Sequence, residues 1–199
     1  MSRKPERRAI WALAIAFACL PLAACGTEEA GNGSKPPDYE KALAGAPKPL
    51  ADLYAQPNEI LSGGTEAFQK RIAGLRGYPV VVNQWASWCG PCRFEFPLFQ
   101  RASADFGKRV AFLGVDSQDS EDAAKTFLEE EPVPYPSYSD PDKEIGELLE
   151  ATLGLPDTSF YDAKGKLVFT KQGPYDDQAE LTADIRRYAL APSGGGGGG

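Results

Sequence analysis

Apolar and polar positions along the middle of the chain predict strands and helices in turn. Short runs rich in valine at Val80–Trp85 and Val110–Val115 indicate buried strands. Two further runs, Thr158–Tyr161 and Leu167–Thr170, flank the turn sequence Asp162-Ala163-Lys164-Gly165 and predict a hairpin.

Apolar residues at helical spacing predict helices between these strands. The predicted helices are Glu66–Leu75, Pro91–Phe106 with an interruption at Pro97, Glu121–Glu130, Lys143–Thr152 and Gln178–Leu190. A helix between two strands favours parallel pairing through a right-handed crossover, whereas the final hairpin adds an antiparallel edge. The predicted fold class is therefore α/β, with a mixed central sheet and helices on both faces.

The first residues have the pattern of an export signal. The apolar run Ala9–Leu22 follows a short basic segment, and it is too short for a bilayer span of ~20 residues. It ends in Leu22-Ala23-Ala24-Cys25, which resembles the lipobox of bacterial lipoproteins. The resemblance implies that residues 1–24 are a signal peptide and that Cys25 carries lipid. The alternative is an ordinary signal peptide with a cysteine near its cleavage site.

Segments at both ends of the mature chain differ in composition from the middle. Residues 25–49 are rich in Gly, Pro, Ala, Lys and Glu, which predicts a flexible tether. Residues 192–199 end in six glycines and predict a disordered tail. One domain, residues 50–191, remains between them. With lipid on Cys25, this domain is expected to face outside the cytoplasm on the cell membrane.

Composition and charge exclude several classes of function. The 199-residue chain has a net charge of −7 and no histidine. The acidic balance argues against binding to nucleic acid, and no imidazole is available as a base or metal ligand. Of the four cysteines, only Cys89 and Cys92 lie in the predicted domain, and they cannot supply the four ligands of a structural zinc site. We therefore expect no metal and no cofactor.

The run Trp88-Cys89-Gly90-Pro91-Cys92 follows a predicted strand and begins a predicted helix. A helix N-terminus stabilises a thiolate, so Cys89 is expected to be the exposed nucleophile with a low pKa. Cys92, one turn further, is expected to be the resolving thiol, and Trp88 an aromatic residue on the rim of the site. The alternative is a structural disulfide without activity, although so short a loop restrains little of the unfolded chain.

These residues carry a family resemblance. WCGPC after an apolar strand resembles the thioredoxin superfamily, and Cys92-Arg93-Phe94-Glu95-Phe96-Pro97 resembles the C-x-x-E-x-P run of membrane-anchored TlpA/ResA-type reductases. Gly154-Leu155-Pro156-Asp157-Thr158 also resembles that branch, and the resemblance covers about Leu50 to Leu190. It implies a thioredoxin-like three-layer sandwich and exchange with protein disulfides outside the cytoplasm, often in cytochrome c maturation. It also implies a membrane thiol-disulfide transporter as electron donor.

The resemblance assigns further site residues. It implies that Pro156 is cis and faces the dithiol, and that the Leu155 backbone pairs with substrate like an added strand. Glu95, at i+3 from Cys92, either tunes the pKa of the dithiol and relays its proton, or is a solvated carboxylate. Asn83 either replaces the buried aspartate of cytoplasmic thioredoxins, which would leave Glu95 as the carboxyl helper, or is a plain strand-end amide.

The residues between the cysteines favour one direction of electron flow. Gly90-Pro91 is the dipeptide of thioredoxin, at about −270 mV, whereas the oxidant DsbA lies near −120 mV. We therefore favour a reductase of protein disulfides, with an oxidant and a non-catalytic binding lipoprotein as alternatives. Peroxiredoxin chemistry is disfavoured because no Thr-x-x-Cys pattern surrounds Cys89. The expected partners are substrate proteins, the membrane and its electron donor, and the chain is expected to be a monomer.

Overall fold

The computed structural model describes residues 35–191 and contains a six-stranded mixed sheet in the order β1-β4-β3-β2-β5-β6. The strands are β1 Ile60–Leu61, β2 Val80–Trp85, β3 Ala111–Ser117, β4 Ser137–Asp140, β5 Asp157–Tyr161 and β6 Leu167–Gln172. β1 to β4 pair in parallel, while β5 runs antiparallel to both β2 and β6. The predicted mixed sheet with an antiparallel edge is confirmed.

Helices connect the strands and close the chain. They are α1 Tyr39–Leu43, α2 Lys48–Tyr54, α3 Gly64–Gly74, α4 Gly90–Phe106, α5 Glu121–Glu130, α6 Glu144–Leu148 and α7 Gln178–Asp184, with a π-helical segment at Ile185–Ala189. The predictions for β2 and α5 match these bounds residue for residue.

The central strand β2 is buried on both faces, which explains its unbroken apolar start. Val81 and Trp85 point into a cluster that includes Phe96 of α4, whereas Val80 and Val82 point into a second cluster on the opposite face. This alternation follows from the two-residue period of a strand. The result is three layers, with the start of α4 immediately after the carboxyl end of β2.

Packed structure begins earlier in the chain than the sequence predicted. Residues 25–49 were expected to form a tether, but α1 and the start of α2 lie within this range. The Tyr39 hydroxyl donates to the Pro132 carbonyl at 3.1 Å, and Ala46 packs against the apolar cluster that contains Leu50 and Leu53. A few well-placed apolar residues thus outweigh a linker-like composition. The predicted signal peptide, Cys25, the tether up to residue 34 and the tail at 192–199 lie outside the described residues.

Four of the five predicted helices differ from the observed ones. α3 runs from Gly64 to Gly74 instead of from Glu66 to Leu75. α4 continues through Pro97 instead of being interrupted there, because Phe96 and Phe99 on either side are buried and hold the turn in place. α6 ends at Leu148 instead of Thr152, and Glu150 two residues later has a positive φ of 57°. The closing helix changes from α to π geometry at Ile185. Between residues 35 and 191, no helix has both the length and the apolar character needed to cross a bilayer.

Candidate active site

The first turn of α4 holds the dithiol. Cys89 is the N-cap residue of the helix, with φ −83° and ψ 105°, and its Sγ accepts the backbone N–H of Cys92 at 3.2 Å. Pro91 lies in the first turn, where a missing N–H breaks no helical hydrogen bond. Cys89 and Cys92 form a disulfide with their Cα atoms 5.3 Å apart. The helix N-terminus therefore directs free backbone N–H groups toward the sulfur of Cys89.

The two cysteines differ in access to solvent. Cys89 is 4% exposed and Cys92 is 0% exposed. The prediction that Cys89 is exposed is wrong for this disulfide form, because Cys89 packs in the same apolar cluster as Cys92 and Phe96. Its neighbour Trp88 is 61% exposed, so an aromatic side chain does lie open to solvent beside the disulfide.

The segment that follows β3 holds the loop before Cys89. A carboxylate oxygen of Asp119 accepts the Ser87 N–H at 2.6 Å, and the Trp88 indole Nε1 donates to the Gln118 carbonyl at 3.0 Å. Gln118 has a φ of 54°, which turns the chain at this point. These two hydrogen bonds hold the backbone at Ser87 and the indole of Trp88 just before Cys89.

Glu95 is completely buried one turn after Cys92, so it is not a solvated carboxylate. Its Oε1 accepts from Asn83 Nδ2 at 2.8 Å, and its Oε2 accepts the Tyr175 N–H at 3.0 Å. Asn83 is therefore a direct partner of this carboxyl group instead of a plain strand-end amide. The Tyr175 contact was missed, because a backbone N–H 80 residues away leaves no sequence signal.

Burial raises the pKa of Glu95 to about 7. The hydrogen bonds from Tyr175 and Asn83 and the charge of Lys171 oppose this effect, while the negative charge of Asp157 adds to it. A carboxyl group with a pKa near neutrality can both hold and release a proton at physiological pH.

The Leu155–Pro156 peptide bond is cis, as the family resemblance implied. Leu155 packs against the apolar cluster that contains both cysteines. The carbonyl of Pro156 accepts the Gly173 N–H at 2.9 Å, which ties this loop to the end of β6.

Asp157 was not singled out in the sequence, although it directly follows Pro156. It is 2% exposed, and burial raises its pKa to about 6, against the opposing effects of the Gly173 N–H and of Lys143 and Lys171. Lys171 lies 4.6 Å from the centre of the Tyr175 ring and donates to the Pro174 carbonyl at 2.7 Å. Nothing in residue spacing predicts that the charge of this lysine acts on both Glu95 and Asp157.

A third buried carboxyl group, that of Asp116, lies at the carboxyl end of β3. Burial, followed by the negative charges of Asp119 and Asp140, raises its pKa to about 8. Asp116 pairs in register with Trp85, the last residue of the strand that leads to the dithiol. Among residues 35–191, no group of three or more His, Cys, Asp or Glu side chains is arranged to hold a metal ion.

Comparisons with known proteins find a family model and relatives that are named thiol:disulfide interchange proteins. The family model described as AhpC/TSA matches residues 57–170. The chain is 39% identical over 94 residues to the thiol:disulfide interchange protein DsbE of Pseudomonas fluorescens biotype C, covering 47% of this chain and 51% of that protein. It is 34% identical over 148 residues to DsbE of Allochromatium vinosum, covering 71% of this chain and 79% of the relative.

A solved structure supports the same fold. The putative thiol:disulfide interchange protein DsbE from Chlorobium tepidum aligns with a TM-score of 0.52 at 28% identity. The alignment covers 57% of this chain and 81% of the Chlorobium chain.

Proposed function

The chain belongs to the AhpC/TSA family and is, like its DsbE relatives, a thiol-disulfide oxidoreductase; from this premise we propose that it reduces disulfides of proteins outside the cytoplasm. The observation that carries the proposal is the Cys89 sulfur at the N-cap of α4, where it accepts a backbone N–H. A helix N-terminus favours the thiolate, which is the reactive form of the thiol.

The reaction transfers two electrons and two protons. The Cys89 thiolate attacks one sulfur of the substrate disulfide and forms a mixed disulfide, and the second substrate sulfur leaves as a thiolate that takes up a proton. Cys92 then loses its proton, and its thiolate attacks the Cys89 sulfur of the mixed disulfide. This releases the first substrate sulfur as a thiolate that takes up a proton, and it leaves the Cys89–Cys92 disulfide. Glu95 lies one turn from Cys92, and in this proposal it accepts the proton of Cys92.

Charges near the dithiol support the reducing direction. DsbA is a strong oxidant because its reduced form is stabilised. Here Glu95 and Asp157 are buried carboxyl groups with pKa values of about 7 and about 6, and in this proposal their negative charge, when they are ionised, partly offsets the stabilisation of the Cys89 thiolate by the helix N-terminus. The reduced form is therefore less favoured than in DsbA, so the pair gives up its electrons more readily.

Apolar surface beside the disulfide supports binding of an unfolded or extended protein segment. Trp88 and Phe94, which lie just before and just after the two cysteines, are 61% and 63% exposed. In this proposal the substrate backbone pairs with Leu155 next to Pro156, and Trp88 contacts its side chains.

The proposed setting follows from the sequence. Residues 1–24 direct export, Cys25 carries the lipid, and the chain between Cys25 and α1 links it to the folded domain. The electron donor is a membrane thiol-disulfide transporter, and apocytochrome c is one class of substrate that the family resemblance implies. Cys25→Ser should move the protein from the membrane fraction to the soluble extracytoplasmic fraction; unchanged membrane association would refute lipid attachment at Cys25.

Two experiments test the redox proposal. A titration of the Cys89–Cys92 pair against a dithiol buffer should give a potential near that of thioredoxin, about −270 mV, and a value near −120 mV would refute the reducing direction. Cys92→Ser should accumulate a mixed disulfide with an oxidised protein substrate, whereas the matched variant Cys89→Ser should not. If both variants trap substrate equally, the assignment of Cys89 as nucleophile is wrong.

A further inference from the structure

The side chain of Gln172, the last residue of β6, binds the backbone of the loop that leads to Pro156. Its Oε1 accepts the N–H groups of Thr152 at 3.2 Å and Leu153 at 3.1 Å. Its Nε2 donates to the carbonyl of Glu150 at 2.8 Å. A single amide thus makes three hydrogen bonds to three residues of one loop.

This loop has no regular secondary structure of its own. α6 ends at Leu148 and β5 begins at Asp157. In between, Glu150 has a positive φ of 57° and Gly154 one of 125°, so the chain changes direction twice. Backbone groups in such a segment need partners outside it, and the Gln172 amide supplies them at three positions.

The loop presents an apolar side chain to solvent. Leu153 is 82% exposed, more than Trp88 at 61% or Phe94 at 63%. Leu153 lies two residues before Leu155, Trp88 directly precedes Cys89, and Phe94 lies two residues after Cys92. Three of the most exposed large apolar side chains in the described part of the chain are thus close in sequence to the proposed substrate contacts.

We propose that Gln172 is a positioning residue that fixes the Glu150–Gly154 loop, so that Leu153 contacts an apolar side chain next to the disulfide of the substrate. The inference rests on the proposed function, because it assigns part of the substrate surface of the same site. A loop that is ordered before binding avoids the entropy cost of ordering it on binding, and this strengthens a contact made by one exposed leucine. The favoured substrates are extended segments with a large apolar residue beside a cysteine.

The test compares two synthetic disulfide peptides that differ only in a leucine or a serine beside the cysteine. Leu153→Ser and Gln172→Ala should each raise KM for the leucine peptide about fivefold with little change in kcat, and leave KM for the serine peptide unchanged. Val168→Ser is the matched control, because Val168 is an exposed apolar residue near the opposite end of β6. It should behave like the wild type with both peptides.

The double variant tests whether the two residues act together. Because Gln172 is proposed to act through Leu153, Gln172→Ala combined with Leu153→Ser should be no worse than Leu153→Ser alone. Gln172→Glu keeps an acceptor for the two N–H groups and should recover part of the loss. Independent additive effects, or equal effects on both peptides, would overturn the proposal.

Amide hydrogen exchange gives a readout that does not depend on activity. The N–H groups of Thr152 and Leu153 should exchange faster in Gln172→Ala and remain slow in Val168→Ser, and unchanged exchange would refute the positioning role. A wild type that reduces neither peptide would refute the proposed reductase. A wild type that reduces both peptides with the same KM would refute only the substrate contact at Leu153.

Discussion

Replacing Glu95 with glutamine tests the buried carboxyl group at the centre of the site. Burial raises its pKa from 4.5 to about 7, so the folded chain holds this proton more tightly than the unfolded chain. Between these values the unfolded state binds fewer protons, and stability therefore falls as the pH rises. At ~1.4 kcal/mol per pKa unit, the difference between the unfolded and folded pKa values of Glu95 corresponds to about 3 kcal/mol of stability lost between pH 4 and pH 8.

Glutamine cannot ionise, so Glu95→Gln should remove this loss. The Oδ1 of Asn83 is buried without a hydrogen-bond partner, and rotation of that amide would let it accept from the new Gln side chain. We expect urea unfolding to give similar stabilities for both proteins near pH 5, and a variant more stable by about 3 kcal/mol near pH 8.5. Asp157 titrates with the same sign, so the comparison uses the difference between the two proteins at each pH.

Kinetics supply the second part of this test. If ionised Glu95 accepts the proton of Cys92, the rate of resolution of the mixed disulfide should rise through pH 7 in the wild type. In Glu95→Gln it should be slower by about 100-fold and lack this transition. The reactivity of Cys89 with an alkylating reagent is followed in parallel. Superimposable pH curves for wild type and variant, in both stability and kinetics, would refute the reasoning.

Two further predictions concern packing and the loop before the dithiol. A Cβ at Gly114 would collide with the Ser137 side chain, so Gly114→Ala should lower the free energy of unfolding by about 1–3 kcal/mol in a urea titration. Gly74→Ala is the control, because a Cβ there meets open space and should not destabilise the protein. Equal stabilities of the two variants would contradict this packing. Asp119→Ala removes the acceptor for the Ser87 N–H and should cost about 1–2 kcal/mol, while Asp119→Asn keeps an acceptor and should cost less than half as much. Indistinguishable losses would count against that hydrogen bond.

Periodicity predicted the elements whose burial follows from local pattern. The predicted bounds of β2 and α5 match the observed ones, because the apolar positions of a valine-rich run and of an amphipathic stretch directly reflect which side chains are buried. β4, with the sequence Ser-Tyr-Ser-Asp, was missed because its polar residues are buried by tertiary contacts. In β4, the Ser137 hydroxyl accepts from Trp85 Nε1 and the Asp140 carboxylate accepts two N–H groups of α6, neither of which local propensity encodes.

The candidate site was predictable to the extent that its residues form one motif. Cys89, Cys92 and Glu95 follow one another at intervals of three residues at the start of α4, so helical periodicity predicts that they lie close together. The partners of Glu95 come from β2 and from the segment after β6, and only the sheet order brings Asn83 and Tyr175 to the same carboxyl group. The pKa of Glu95 depends on its burial among these partners, which residue spacing along the chain does not predict.

The unequal access to the two sulfurs limits the order of events in turnover. Cys92 has no contact with solvent, so an incoming protein can meet only the sulfur of Cys89. In the proposed reaction, the electron donor and the oxidised substrate protein therefore compete for the Cys89 sulfur and are never attached at the same time. Their half-reactions must alternate, and double-reciprocal plots at different donor concentrations should form parallel lines, which is the kinetic pattern of a ping-pong enzyme.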